Sequence, residues 1–170
     1  MEDINNIILI WMPTSWKTTV WKKLARLIWY DFIDEDDSYE KIHGSIHLVK
    51  EVYWLDYFFK TRQEHIAHLA SLDNTIISTW WGTWISDDVN IYEWFNIYIR
   101  INSRTLNYRF NSITNKTDPK QLRRKLLHAT DEERTKILNE RDILYKNNSD
   151  LIVNGNGYID DIINQIMYNI

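Results

Sequence analysis

"IILIWMPTSWKTTVWKKLA", residues 7–25, is the stretch whose reading decides the fold. Four apolar residues, Ile7 to Ile10, read as a buried strand; a turn follows, and Lys17-Thr18-Thr19 opens a helix. The pattern G-x-x-x-x-G-K-[ST], in which backbone amides cradle phosphate oxygens, fits at Lys17 and Thr18, with the strand before and helix after that its mechanism needs. Both of its glycines are missing. Positions 11 and 16 hold tryptophan.

The composition generalises that oddity. The chain has four glycines and nine tryptophans in 170 residues, and together these come to about the share that glycine alone ordinarily holds, roughly 7%. Other values are ordinary for a globular chain: 44% hydrophobic and 26% charged. A length of 170 residues fits one domain. A net charge of −4 and a pI near 5.7 speak against nucleic acid or a membrane surface as partner. No apolar run approaches the roughly 20 residues that span a bilayer, and MEDINN lacks a signal peptide's basic start. The absence of cysteine excludes disulfides and thiolate metal sites and fits the cytosol.

If tryptophan has taken glycine's place, each should stand where glycine has a physical task. Trp11 begins the loop after the strand. Trp16 precedes Lys17, where amides must approach phosphate with no side chain between. Trp21 faces the strand one turn into the helix. Trp29 ends that helix in the left-handed capping position. Trp54 breaks a helical stretch, Trp80 and Trp81 follow an apolar strand and precede Gly82, and Trp94 stands between helix and strand, again as a cap. Trp84 alone has no clear local task of this kind. Core aromatics follow helix or strand periodicity, whereas these follow element boundaries. The pattern matches a gene whose UGA codons mean glycine but are written as tryptophan. The wealth of Asn, Ile, Lys and Tyr suits an AT-rich genome in which UGA is frequent. A mutated or decayed gene is the alternative.

Strands and helices alternate along the chain: β at 6–10, 31–33, 75–79, 95–101 and 151–153, helices at 17–28, 37–53, 56–71, 87–93, 103–111 and 158–169, with a short helix before the fifth strand. This predicts an α/β fold, a five-stranded parallel sheet flanked by helices. Residues 112–139 are polar and charged, either a solvated helical excursion or a lid over a phosphate site.

The phosphate loop, "DFIDEDD" at 31–37, "ISTWWGT" at 77–83 and "RDILYKNNSDLIV" at 141–153 occur in an order and spacing that resembles the shikimate kinase family, of the nucleoside-monophosphate-kinase-like branch of P-loop kinases. The resemblance runs from about residue 5 to 168. It implies one P-loop kinase domain over 1–170, a substrate region at about 34–62, and a lid at about 112–139. It also implies ATP-dependent phosphorylation of shikimate to shikimate 3-phosphate by a cytoplasmic monomer, with Mg²⁺ as cofactor.

Lys17 would balance the β- and γ-phosphates and Thr18 bind Mg²⁺, within a cradle of amides from Thr14, Ser15, Trp16, Lys17, Thr18 and Thr19. Asp34 and Asp36, one residue apart at a strand end, should point to one side; equally, the acidic run can cap a helix. By resemblance Asp34 joins the Mg²⁺ network, while Asp36 holds ring hydroxyls and acts as base. Trp80, Trp81 and Gly82 match a triple glycine beside the substrate, Arg141 an arginine gripping its carboxylate, and Arg109 an arginine flanking adenine. His65 and His68, three apart on a helix, lack an evident third metal ligand.

Two departures bear on the acceptor rather than on phosphoryl transfer. The family's Gly-Glu-x-x-Phe-Arg reads here "WLDYFF", with Leu55 at the glutamate and Phe59 at the arginine; Lys60 and Arg62 are the candidate substitutes, though lysine and arginine are not interchangeable at a carboxylate fork. The lid's Arg-Pro-Leu-Leu is absent, leaving Lys116 nearby. The alternatives are a kinase for another polyol acid such as gluconate, or a non-catalytic relic.

Overall fold

Ile7 to Ile10 lie at the centre of the sheet because both faces of that strand are covered. Ile7 and Leu9 join one buried cluster and Ile8 and Ile10 the other, so a run with no polar alternation is fully used. Residues 4–12, 17–79, 94–112 and 125–170 are described in a computed structural model of the chain, with only the backbone given at Trp11, Lys17, Thr18, Ala70 and Lys125. Five strands, β1 (Asn6–Trp11), β2 (Asp31–Asp34), β3 (Thr75–Ser78), β4 (Phe95–Arg100) and β5 (Leu151–Asn154), form one parallel sheet in the order β2-β3-β1-β4-β5. The expected five-stranded sheet with flanking helices is the fold observed.

Helices α1 (Lys17–Ile28) and α7 (Ile159–Asn169) cover one face, their Val20, Trp21, Leu24, Ile162, Ile163 and Ile166 packing on Ile7, Leu9, Ile76, Ile97 and Val153. The other face buries Leu69 of α4 (Trp54–Ala70), Leu106 and Phe110 of α5 (Ser103–Asn111), and Leu138 and Tyr145 of α6 (Asp131–Asn147). The helix expected over 37–53 divides into α2 (Glu35–His43) and α3 (Ile46–Val52). Gly44 is the reason: at φ +83° it ends α2, and the Glu40 carboxylate takes the Ile46 N–H at 3.0 Å to start α3.

The short helix expected before β5 is 17 residues long and begins at Asp131, where Thr130 and Glu133 form a reciprocal capping box. Residues 131–139, which read in the sequence as part of the polar excursion, are therefore the first half of α6. Of the rest of that excursion, residues 113–124 lie outside the described residues, as does the helix expected at 87–93. Buried Arg134 ties the flanks of the excursion together, donating to Leu126 O at 2.8 Å and to Asn111 Oδ1 at 3.1 Å.

The four tryptophans whose side chains are described, Trp21, Trp29, Trp54 and Trp94, are of two kinds. Trp29 follows α1 at φ +61°, and Tyr30 N–H bonds Ala25 O at 2.9 Å, the six-residue closure of a glycine-type helix end. Trp54 has φ +55°. These indoles are 92% and 84% exposed, so neither recovers by burial what its backbone costs. Trp21 and Trp94, by contrast, are buried in the two cores. Trp94, read in the sequence as a cap, has its ring buried in the core at the bend into β4. Trp11 is also corrected, since it is the last paired residue of β1, opposite Ile99, and not the start of the loop.

In urea unfolding, Trp29→Gly and Trp54→Gly are each expected to raise stability by up to about 1 kcal/mol, because each removes a left-handed Cβ and uncovers no core. Trp21→Gly should cost about 3–5 kcal/mol. A loss of stability in the first two variants would contradict this division.

Candidate active site

All five strands run parallel and end on one edge of the sheet, where open α/β folds bind ligands at the point of order reversal. Here that point is β1, whose neighbours β3 and β4 are reached by crossovers to opposite sides. Lys17, Thr18 and Thr19 form the first turn of α1, the helix that follows β1, so the amides of its positive end stand where the sequence assigns phosphate. The Thr19 side chain is exposed. Thr14, Ser15, Trp16, Trp80, Trp81, Gly82 and Lys116, and the side chains of Lys17 and Thr18, lie outside the described residues.

At the end of β2, Asp34 pairs in register with Ser78 of β3 and caps α2, accepting the Asp36 N–H at 3.2 Å. This corrects the expectation that Asp34 and Asp36 extend from one side of a strand. The capping bond ends the strand at Asp34 and puts Glu35 and Asp36 in the first helical turn, the alternative reading of the acidic run. Glu35 is thereby turned inward and is fully buried.

Its partner is Arg62. Phe58, Arg62, Ile66 and Leu69 occupy the buried stripe of α4 at helical spacing, and a charge in such a stripe must be paired. The Arg62 Nη2 donates to Glu35 Oε2 and to Asp36 Oδ1, the latter at 2.5 Å. Burial opposes the guanidinium charge, but the attraction of Glu35 and then Asp36 outweighs it, holding the Arg62 pKa above the usual arginine value. The Arg62 guanidinium carbon also lies 5.3 Å from the centre of the Phe58 ring. Phe59, at the family's arginine position, and Lys60 are exposed on the other side of α4. Sequence reasoning named Arg62 as a substitute but missed its partner Glu35. The signal was present: an arginine in phase with Phe58 and Ile66, and an acidic triplet at a helix start.

His65, one turn beyond Arg62, completes an aromatic group. Its ring lies 5.8 Å from that of Tyr39 and 6.4 Å from that of His43, and the Tyr39 hydroxyl meets Thr61 Oγ1 at 2.7 Å. Burial, then the proximity of His43, His68 and Arg62, keeps the His65 pKa below its ordinary value. Whereas His65 is buried, His68 is exposed, and no metal-holding group of three His, Cys, Asp or Glu occurs among the described residues.

On the β4–β5 side, Arg109 of α5 donates to Gly155 O at 2.9 Å, and burial lowers its pKa. A Cβ at Gly155 would meet Ile99 Cγ2 at 2.5 Å, so glycine is what lets the loop after β5 lie against β4. Arg141 stands half-buried on α6 beside Asp142. Asp142 anchors α6 to β4 by accepting from Arg100 Nε at 2.8 Å and the Tyr98 hydroxyl at 3.0 Å. Those bonds fix the backbone that carries Arg141.

The sheet order, the helix after β1 and the acidic turn after β2 are those of a P-loop kinase. The shikimate kinase family model matches residues 13–170. A shikimate kinase of Clostridium botulinum is 37% identical over 103 residues, which cover 58% of this chain and 60% of that one. The chain thus spans about three-fifths of that relative's length. The shikimate kinase of Nitrosococcus oceani is 30% identical over 159 residues, 87% of this chain and 77% of the relative. Among solved structures, the shikimate kinase from Acinetobacter baumannii in complex with shikimate superposes with a TM-score of 0.77 at 22% identity, covering 98% of this chain and 92% of that one. The chain belongs to the shikimate kinase family.

The histidine yields a pH dependence. In the unfolded chain His65 titrates near 6.5; in the fold it does so lower. The unfolded state therefore binds more protons below pH 6.5, and stability, complete above that value, falls as pH drops through it toward the folded pKa. His65→Phe should flatten the loss of urea midpoint between about pH 7.5 and about pH 5.5. An unchanged slope would contradict the assignment.

Proposed function

We propose that the chain is an ATP-dependent kinase that phosphorylates a hydroxyl of shikimate, giving shikimate 3-phosphate for aromatic amino acid synthesis. The observation that carries this reading is the meeting, at one sheet edge, of the first turn of α1 and the Asp34–Asp36 turn of α2, in a chain matched by the shikimate kinase model over residues 13–170. The gluconate alternative draws no support from that family match.

Phosphoryl transfer is largely positioning and charge neutralisation. In this reading the amides of Thr14, Ser15, Trp16, Lys17, Thr18 and Thr19 cradle the phosphates, and the Lys17 ammonium offsets the charge passing to the leaving β-phosphate. Arg109 and Lys116 flank the nucleotide. Asp36 accepts a hydrogen bond from the reacting ring hydroxyl and takes its proton as the oxygen attacks the γ-phosphorus. The backbone at Trp80, Trp81 and Gly82 meets the acceptor. Arg62 is engaged by two carboxylates, so the substrate carboxylate falls to Arg141; Lys60, exposed on the opposite side of α4, gains no support as a second cation.

Mg²⁺ fits the donors present. Asp34 and Thr18 offer oxygens, and this ion is held by one or two carboxylates and substrate phosphates rather than by an all-protein cage. Bound there, it would neutralise phosphate charge. The reading is of one kinase domain and a monomer, with a substrate region at about 34–62 and a lid from about 112. ATP as co-substrate and a chain without cysteine support work in the cytosol; among the described residues no helix is long and apolar enough to cross a membrane.

We also propose that glycine stands at the phosphate-loop tryptophans in the working protein, through UGA codons read as glycine. The spacing of Trp11, Trp16, Trp80 and Trp81 supports this, as do the left-handed backbones of Trp29 and Trp54. The buried indoles of Trp21 and Trp94 lend it nothing.

The test is ADP release with shikimate against gluconate, using the chain as written and a version with glycine at Trp11, Trp16, Trp29, Trp54, Trp80 and Trp81, the buried Trp21 and Trp94 being kept. The glycine version should bind Mg-ATP and release ADP with shikimate, and the tryptophan version should do neither. A glycine version that binds no Mg-ATP supports the relic reading, and turnover with gluconate alone overturns the choice of acceptor. A UGG codon at position 16 overturns the decoding proposal.

A further inference from the structure

We propose that Arg62 is a positioning residue: its guanidinium holds the Asp36 carboxylate in the orientation that receives the acceptor hydroxyl, and it does not itself bind the substrate. This rests on the kinase reading above and concerns the acceptor half of that site.

Two carboxylates share the Arg62 Nη2, and they differ in burial. Glu35 and Arg62 are 0% and 4% exposed and form a buried pair, which is what keeps α4 against the start of α2. The Asp36 side chain is 37% exposed, and it receives the same guanidinium at 2.5 Å from the solvent side. Arg62 therefore has one partner inside the protein and one at the surface of the candidate site. A half-exposed aspartate in the first turn of a helix has several rotamers open to it, and the guanidinium selects one. Both bonds leave one nitrogen, Nη2, whose two N–H directions are fixed by the guanidinium plane, whereas the three N–H groups of an ammonium rotate freely.

The surroundings fix Arg62 in turn. Its charged carbon lies over the rings of Phe58 at 5.3 Å and Tyr39 at 5.8 Å, and the Tyr39 hydroxyl is held by Thr61, the residue before Arg62. Thr61 also bonds back to Tyr57 O at 2.9 Å, which pins that turn of α4. A chain of packed and hydrogen-bonded groups thus runs from α4 to the Asp36 carboxylate. The same occupancy answers the missing arginine at Phe59: Arg62 does not restore a carboxylate grip on the substrate, because its charge is already matched by two acids.

The test compares kinetics and melting of the active parent, Arg62→Lys, Glu35→Gln, Asp36→Asn and the Arg62→Lys/Asp36→Asn double variant. Arg62→Lys should keep the buried contact to Glu35, release Asp36, and lower kcat on the order of 100-fold with the KM for ATP unchanged. Glu35→Gln should lower the melting temperature while keeping kcat within a few-fold of the parent, and the double variant should be no slower than Asp36→Asn alone. Should Arg62→Lys fail to fold, Glu35→Gln/Arg62→Gln removes the buried charges together and leaves Asp36 without its cation; the same loss of kcat is expected. The proposal is overturned if the Arg62 variant turns over at the parental rate, if its loss multiplies with that of Asp36→Asn, or if it raises only the KM for the acceptor. A parent that turns over no acceptor overturns the kinase reading, and this proposal with it.

Discussion

One buried guanidinium sets the geometry of the acceptor side. An arginine without water costs several kcal/mol unless its charge is met, and the penalty for breaking such a pair is larger than the gain from making it. Arg62 satisfies that condition only when α4 lies where Glu35 and Asp36 can reach it. Those two carboxylates are available only because Asp34 stops β2 and starts a helix at once. The cap, the buried pair and the stripe of α4 are therefore one constraint, and the acidic turn cannot shift along the sheet edge without breaking all three.

The nucleotide side rests on different physics. There the sheet supplies a central strand that is apolar from Ile7 to Ile10, and α1 is the next described helix, so its amide dipoles stand on the β1 side of the site. Gly155 admits the loop after β5 against β4, and Arg109 holds that loop through its carbonyl. Asp142 fastens α6 to β4 through Arg100 and Tyr98, one residue from Arg141. Both halves meet on one edge because every strand is parallel.

Much of this is legible in the sequence, for identifiable reasons. Ile7 to Ile10, Ile76–Ile77 and Ile97–Ile99 are apolar runs too short for helices, and each is a strand. Trp29 is readable as a cap because a periodic helix stops just before it. The failures are equally local. Asp34 and Asp36 read as strand residues, yet a side-chain bond to one backbone N–H is enough to begin α2. Gly44 cuts a helix that periodicity alone carries through. Trp94 looks like a boundary residue and is core, since position between elements does not say which way a bend turns a ring. The pairing of Arg62 with Glu35 stays hidden because the motif points to Phe59, whereas the charge lies on the buried face of the same helix.

The most direct measurement is a crystal structure of the glycine-bearing protein with shikimate and ADP. The account predicts one Asp36 carboxylate oxygen on a shikimate ring hydroxyl, the other still held by Arg62, and the shikimate carboxylate against Arg141. A shikimate carboxylate seated on Arg62, with Asp36 turned away from the ring, would contradict it.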